Sequence, residues 1–232
     1  MSSTLICVPT YNEAGNIERL VGAVHANEPD VHILVIDDDS PDGTGELADR
    51  LAADDERIFV LHRSEKQGLG RAYIDGFAWA LERGYERIVE MDADFSHRPR
   101  DLPELLRQLD NYDVVVGSRY VAGGSTRDWG LLRRMVSRGG GFYARLVLGC
   151  DIRDLTAGFV GWRREVLQTL KLDDVEASGY VFQVEMKYRA HQAGFRIIEI
   201  PIVFPDREVG DSKMTPDIAL EALVRLWKIR LK

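Results

Sequence analysis

The sequence predicts an α/β protein, a mostly parallel sheet flanked by helices and built as one domain over residues 1–232. Three observations predict it. Short β-branched runs alternate with segments of helical period from about residue 4 to residue 120. The runs are continuously apolar, as strands buried on both faces are. Three of them end in polar or acidic turns, which suits an open sheet whose ligand edge lies beyond the carboxyl ends of its strands.

The first strand, Thr4-Leu5-Ile6-Cys7-Val8, is expected over 4–9 and ends in Pro9-Thr10-Tyr11-Asn12-Glu13. A helix over 15–27 follows, with Ile17, Leu20, Val21 and Val24 on one face. The second strand, over 32–37, runs into Asp37-Asp38-Asp39-Ser40-Pro41-Asp42-Gly43-Thr44 and a helix over 43–54. Further strands are expected over 57–62, 87–92 and 113–118, with helices over 69–83 and 101–110. Asp101-Leu102-Pro103 has the form of a cap and an early-turn proline.

The pattern changes after residue 120. Residues 121–130 read as a loop. Residues 131–148 mix apolar and basic groups around Gly139-Gly140-Gly141, a run expected to weaken or break a helix at about 1 kcal/mol per glycine. A strand over 158–163, helices over 164–170 and 180–193, a strand over 195–204 and a loop over 205–214 lead to an amphipathic helix over 216–231.

Composition narrows the function. A net charge of −8 argues against a nucleic-acid partner. Two cysteines, Cys7 and Cys150, do not make a disulfide scaffold and point to a reducing cytoplasm. No apolar run approaches the roughly 20 residues of a membrane span, and Met1-Ser2-Ser3 leads into the first strand without a signal peptide.

Chemistry gathers at the strand ends. Asp92 and Asp94 follow an apolar run, share a face by the two-residue period, and suit Mg²⁺ or Mn²⁺ bridged by a substrate's phosphates. The plain alternative is a pair of solvated loop aspartates. Around Pro9–Glu13, Asn12 or Thr10 can cap the next helix with Glu13 favoured by its dipole, Tyr11 can meet a base and Glu13 a ribose or base edge, and both readings can hold at once. Of Asp37, Asp38 and Asp39, one can cap a helix and another can meet a ribose or base; Asp38 is favoured, although spacing does not choose. Gly68-Leu69-Gly70 lacks the full phosphate-loop and dinucleotide patterns, so its glycines are expected to pack closely against a nucleotide pocket. Arg119 ends the fifth strand, where a guanidinium can take two phosphate oxygens. Arg207 and Lys213, around Gly210, can neutralise a diphosphate or simply be solvated.

These motifs in this order resemble the family 2 glycosyltransferases of the GT-A fold, and among them the dolichol-phosphate (polyprenol-phosphate) mannose synthases. The resemblance spans about residues 4–214 and includes Thr156-Ala157-Gly158-Phe159 as well as the runs above. It implies a Rossmann-like GT-A domain whose residues 1–120 bind the nucleotide sugar and whose residues 121–232 bind the acceptor. It implies inverting transfer of mannose from GDP-mannose to a polyprenyl phosphate. Alternatives are a UDP-glucose-dependent glucosyltransferase and a non-catalytic nucleotide-sugar-binding subunit. By the resemblance, Pro9, Tyr11, Glu13, Ile36 and Asp38 line the nucleotide pocket. Asp92, Ala93 and Asp94 meet the sugar diphosphate and the metal, Mg²⁺ or Mn²⁺, and Arg207 and Lys213 meet the diphosphate. Ser96 stands where archaeal relatives carry a metal-assisting Gln, which leaves water or a weaker hydroxyl ligand there.

Arg119, Arg133 and Ser137 are the candidates for the acceptor phosphate, with Arg133 alternatively an ordinary basic residue of an amphipathic segment. Many relatives continue into transmembrane helices, whereas this sequence ends at Lys232. The expected location is therefore the cytoplasmic face of a membrane, held by peripheral contact or a separate anchoring subunit. Two segments could supply that contact: residues 131–148, and the last helix with Trp227 and its basic flank. The alternative for the last helix is packing on its own domain.

Overall fold

A computed structural model describes residues 3–126, 130–175, 180–205 and 225–231. Its first half alternates β1 (Thr4–Thr10), α1 (Ile17–Asn27), β2 (His32–Asp37), α2 (Thr44–Asp54), β3 (Ile58–His62), α3 (Leu69–Glu82) and β4 (Arg87–Glu90). A 3-10 turn at Pro99–Asp101, α4 (Leu102–Gln108) and β5 (Val114–Ser118) complete that half. Then come β6 (Ser125–Thr126), α5 (Leu131–Leu148), β7 (Val160–Arg163), α6 (Arg164–Thr169), α7 (Tyr180–Gln192), β8 (Ile197–Pro201) and β9 (Val203–Phe204). A last helical stretch, α8, covers 225–231.

Seven strands form one sheet in the order β3-β2-β1-β4-β7-β5-β8. Only β7 runs antiparallel to its neighbours, β4 and β5. From β1 the chain winds outward to β2 and β3, then returns to place β4 on the other side of β1. That reversal is the topological switch point, where open α/β sheets bind ligands.

Both faces of the sheet are covered, and side-chain alternation divides the core. Leu5 and Cys7 of β1 face Tyr73, Phe77, Phe182 and Met186 of α3 and α7. Ile6 and Val8 face Ile17, Leu20, Leu102 and Leu105 of α1 and α4. Leu34 and Ile36 of β2 divide from Ile33 and Val35 in the same way. Continuous apolar runs are thus the two faces of doubly covered strands.

Several boundaries differ from the sequence expectation for identifiable reasons. The fourth strand stops at Glu90: Met91 still donates its N–H to the Cys7 carbonyl at 3.0 Å, and the chain then turns away. The strand expected over 195–204 is two, because β9 leaves the main sheet and pairs with β6. The expected loop 121–130 therefore contains a strand. Asp101 does not cap α4 with its side chain; its carboxylate takes both Nε and Nη2 of Arg98 at 2.9 Å.

The triple glycine does not break α5, which runs continuously through it. Ala144, Val147 and Leu148 bury against Leu155, Val184, Tyr188 and Leu226. Burial of about 1.5–3 kcal/mol per large apolar side chain outweighs about 1 kcal/mol per glycine. The helix ends at Gly149, whose φ of +65° is the left-handed cap a glycine adopts without strain and whose N–H donates to the Arg145 carbonyl at 2.8 Å. Of the expected closing helix, residues 216–224 lie outside the described residues. In α8, Leu226 is buried against α5, whereas Trp227 and Leu231 are exposed. No helix among the described residues is long and apolar enough to cross a membrane.

Candidate active site

The turns after β1 and β2 are locked to each other. Asn12 donates its N–H to Ser40 Oγ at 3.1 Å, Glu13 to Thr44 Oγ1 at 2.9 Å and Ala14 to Asp42 Oδ2 at 3.1 Å. The main-chain amides of the turn that leads into α1 are thus satisfied from the neighbouring turn. Neither Asn12 nor Thr10 supplies a side-chain cap: Asn16 occupies that position, and Thr10 Oγ1 donates to Asp37 Oδ1 at 3.0 Å.

The three consecutive aspartates have different surroundings. Asp37 is buried and accepts from Thr10 and from the Ser40 hydroxyl at 2.6 Å, so it shapes the turn. Asp38 is buried against the Arg63 guanidinium, which also holds Asp75 at 2.9 Å. Burial raises the Asp38 carboxyl above its usual range, with Arg63 partly offsetting that. Asp39 is exposed, with a φ of 55°.

Tyr11 is exposed at the same edge, with the Lys66 ammonium 3.6 Å from its ring centre. Pro9 pairs with Ile36 across the two strands, and Glu13 Oε2 accepts from Asn16 Nδ2 at 2.8 Å. The Ile36 side chain belongs to the core, so Ile36 can meet a ligand only through its main chain. The close glycine contact in the 68–70 turn is with the core: a Cβ at Gly70 would lie 2.9 Å from Phe182, where the sequence had suggested a nucleotide pocket.

Beyond β4 the chain places Asp92 and Asp94 on the switch-point edge. Asp92 Oδ1 accepts from the Tyr73 hydroxyl at 3.4 Å, and Asp94 Oδ1 from the Ser96 N–H at 3.0 Å. Ala93 is buried. Phe95 takes a φ of 60°, unusual for an aromatic residue, and the loop turns sharply there. The Asp92 N–H donates to His97 Nδ1 at 2.9 Å, so that nitrogen is an acceptor and the ring proton sits on Nε2. His97 is buried and stacks on Phe159 with ring centres 5.3 Å apart. Sequence reasoning gave His97 no role; its only signal was its nearness to the aspartate pair.

The donor set suits a hard divalent cation. No group of three or more His, Cys, Asp or Glu side chains able to hold a metal occurs among the described residues. The chain would therefore offer two carboxylates and leave other positions to phosphate and water, as Mg²⁺ and Mn²⁺ sites do. In the same turn Ser96 Oγ is buried with no hydrogen-bond partner among the described residues, an oxygen that suits such a site.

Beneath Asp92 lies a buried polar cluster that the sequence did not reveal. Glu90 Oε1 accepts from Trp162 Nε1 at 2.7 Å, and its other oxygen accepts from Gln183. Lys187, fully buried on α7, donates to the carbonyls of Leu155 at 3.1 Å and Ala157 at 2.6 Å, and to Gln183 Oε1 at 3.0 Å. Burial pushes the Glu90 carboxyl up and the Lys187 ammonium down, and each charge partly counters the other's shift. Lys187 thereby fixes the 154–158 segment.

That segment holds Arg119. Asp154 takes Arg119 Nε at 2.8 Å and Nη2 at 2.6 Å in a two-toothed pair, and Thr156 Oγ1 takes Nη2 at 2.7 Å. Burial raises the Asp154 carboxyl, but the Arg119 charge and hydrogen bonds outweigh it and hold the carboxyl below the usual range. Ser137 shares a 2.6 Å hydrogen bond with the Tyr120 hydroxyl. The Arg133 side chain, Arg207 and Lys213 lie outside the described residues.

Residues 5–171 match the profile of Glycosyl transferase family 2. The chain is 49% identical over 231 residues to a polyprenol monophosphomannose synthase of Mycolicibacterium smegmatis, covering 98% of this chain and 87% of that one. It is 47% identical over 224 residues to an undecaprenyl-phosphate mannosyltransferase of Micrococcus luteus, covering 97% and 92%. Among solved structures it resembles a glucosyl-3-phosphoglycerate synthase of Mycobacterium tuberculosis in complex with Mn²⁺ and UDP-glucose, with a TM-score of 0.65, 19% identity and coverage of 98% and 78%. It also resembles a mannosyltransferase of Pyrobaculum calidifontis in complex with GDP-mannose and Mn²⁺, with a TM-score of 0.60, 19% identity and coverage of 99% and 73%. These structural likenesses establish the fold.

Proposed function

The chain belongs to glycosyltransferase family 2, and from that premise we propose that it transfers mannose from GDP-mannose to a polyprenyl phosphate with inversion. The observation that carries the reading is 49% identity, over nearly the full length of both chains, to a relative named for making polyprenol monophosphomannose.

The site's chemistry supports it. The acceptor phosphate, with a second pKa of about 6, is an anion at neutral pH and needs no general base. Its oxygen attacks the anomeric carbon as the bond from that carbon to the diphosphate oxygen breaks, and GDP leaves with the electron pair. Asp92 and Asp94 would hold Mg²⁺ or Mn²⁺, which when bound neutralises charge on the departing diphosphate. Arg207 and Lys213 would add to that neutralisation from their own loop. Pro9, Tyr11, Glu13, Asp38 and the Ile36 main chain would seat the nucleoside, and Ala93 would lie against the sugar diphosphate. Arg119, Arg133 and Ser137 would orient the acceptor oxygen. Asp154 and Thr156 hold the Arg119 guanidinium in one orientation, which suits that task. The lipid acceptor requires the enzyme to work at a membrane surface, in this reading the cytoplasmic face, by peripheral contact or through an anchoring subunit.

Thermal unfolding with each donor tests the donor half. GDP-mannose with Mn²⁺ is expected to raise Tm with saturating concentration dependence. Equal or greater stabilisation by UDP-glucose with Mn²⁺ overturns the choice of donor.

A further inference from the structure

A cavity of about 380 Å³ opens beside α5, away from the donor turns, lined by Tyr120, Arg138, Phe142, Arg145 and Arg153. Arg138 and Arg145 lie seven residues apart, two turns along one helix face, and Arg153 enters from the segment after the helix. The cavity therefore has three guanidiniums and two aromatic walls.

Elsewhere in this acidic chain arginines hold carboxylates, as Arg57 holds Asp55, Arg98 holds Asp101, Arg107 holds Glu104 and Arg196 holds Asp113. No ion pair to Arg138, Arg145 or Arg153 occurs among the described residues. The buried Arg145 Nε has no hydrogen-bond partner among the described residues. Converging guanidiniums with unsatisfied donors suit a phosphate group.

The surroundings select the kind of phosphate. Met135, Phe142 and Leu146 are exposed, and their spacing puts them on one stripe of α5. Trp227 and Leu231 of α8 are exposed nearby, and Trp227 Nε1 donates to Tyr143 of α5 at 3.0 Å. An apolar stripe beside a cluster of arginines complements an anionic bilayer, whose surface attracts basic groups while its interface accepts Trp, Phe and Leu.

We propose that this cavity binds the phosphate headgroup of an anionic membrane lipid, with the exposed stripe of α5 and α8 lying in the bilayer interface beside it. The inference takes from the proposed reaction only that the chain works at a membrane. Tyr120 links the two sites: its ring lies 5.3 Å from the Arg119 guanidinium carbon and 5.8 Å from that of Arg138. A seated headgroup would thus put the bilayer surface next to the acceptor-phosphate candidates.

Cosedimentation of the full chain with vesicles tests the assignment, comparing phosphatidylcholine alone with phosphatidylcholine containing a quarter phosphatidylglycerol. Tighter binding to the anionic vesicles is expected, falling roughly fivefold for each guanidinium removed in Arg145→Gln and Arg153→Gln. Arg153→Lys should retain most of it. Arg153→Gln alone, at an exposed position, covers the case in which the Arg145 variant misfolds. Stabilisation by GDP-mannose with Mn²⁺, measured on the same variants, reads the donor site separately, so its failure counts against the proposed reaction and not against this cavity. Equal binding to both vesicle types, or undiminished anionic binding by the variants, overturns the assignment. So does stabilisation by millimolar inorganic phosphate that Arg153→Gln abolishes without any preference for anionic vesicles, since that marks a site for a free anion.

Discussion

Lys187→Met removes the cation that holds the 154–158 segment, on which the proposed acceptor side rests. The Lys187 ammonium donates to three main-chain carbonyls, those of Leu155, Ala157 and Gln183, and to the Gln183 side chain. Methionine fills similar volume without a donor, so the loss is one of polarity more than packing. Each buried carbonyl left unsatisfied costs about 1–3 kcal/mol, though relaxation reduces the sum. The Glu90 carboxylate keeps its hydrogen bonds from Trp162 and Gln183 but loses the nearby positive charge. The unsatisfied carbonyls and the lost charge together are expected to cost about 3–5 kcal/mol. For a chain of this size that is a fall in Tm of about 6–20 °C, readable by differential scanning calorimetry. Glu90→Gln in the same background removes the uncompensated carboxylate, so the double variant should recover about 1–3 kcal/mol relative to additivity. At a temperature where Lys187→Met stays folded, transfer should fall while GDP-mannose binding holds, because the freed 154–158 segment orients Arg119 and not the nucleoside. A Tm within about 2 °C of the parent, or strictly additive variants, would refute the idea that Lys187 and Glu90 form one unit.

Asp94→Ala should leave Tm within about 2 °C, since it opens no core cavity, yet erase the Mn²⁺-dependent stabilisation by GDP-mannose, worth about 2.7 kcal/mol at a hundredfold excess over Kd. Arg119→Lys keeps the charge but cannot fill both oxygens of buried Asp154. A loss of about 1–3 kcal/mol is expected by denaturant titration, with transfer falling more than donor binding. Asp55 supplies a pH test. Hydrogen bonds from Arg57 hold its carboxyl at about 2 against an ordinary 3.8. Its stabilisation is therefore complete above about pH 4 and lost as pH falls through 2. Carbon-detected NMR titration should show that midpoint, and Asp55→Asn should flatten the acid limb of the stability curve over that window.

Much of this fold was legible from residue order because doubly buried strands announce themselves as apolar runs. His32 to Ile36 could only be a covered strand, and its abrupt end at Asp37 marked the carboxyl edge of the sheet. The Asp92–Asp94 pair was legible for the same reason, a two-residue spacing at a strand end. What escaped was whatever depends on long-range contact. Asp154 and Arg119 are 35 residues apart and Glu90 and Gln183 are 93 apart, and no local pattern ties them together. The Gly139–Gly141 run misled because propensity counts only the chain's own cost, whereas packing of Ala144 and Leu148 decides the helix. Asp37, Asp38 and Asp39 could not be told apart in sequence because their roles follow from Thr10, Ser40 and Arg63, each supplied by the folded turn.

The most direct test is transfer itself. The full chain is incubated with radiolabelled GDP-mannose, Mn²⁺ and a polyprenyl phosphate in mixed vesicles, and label is counted in the organic extract. Label should pass into the lipid phase with wild type, depend on both lipid phosphate and metal, and vanish with Asp94→Ala. Label that stays in the aqueous phase with several polyprenyl phosphates, or that enters the lipid only from UDP-glucose, would contradict the account.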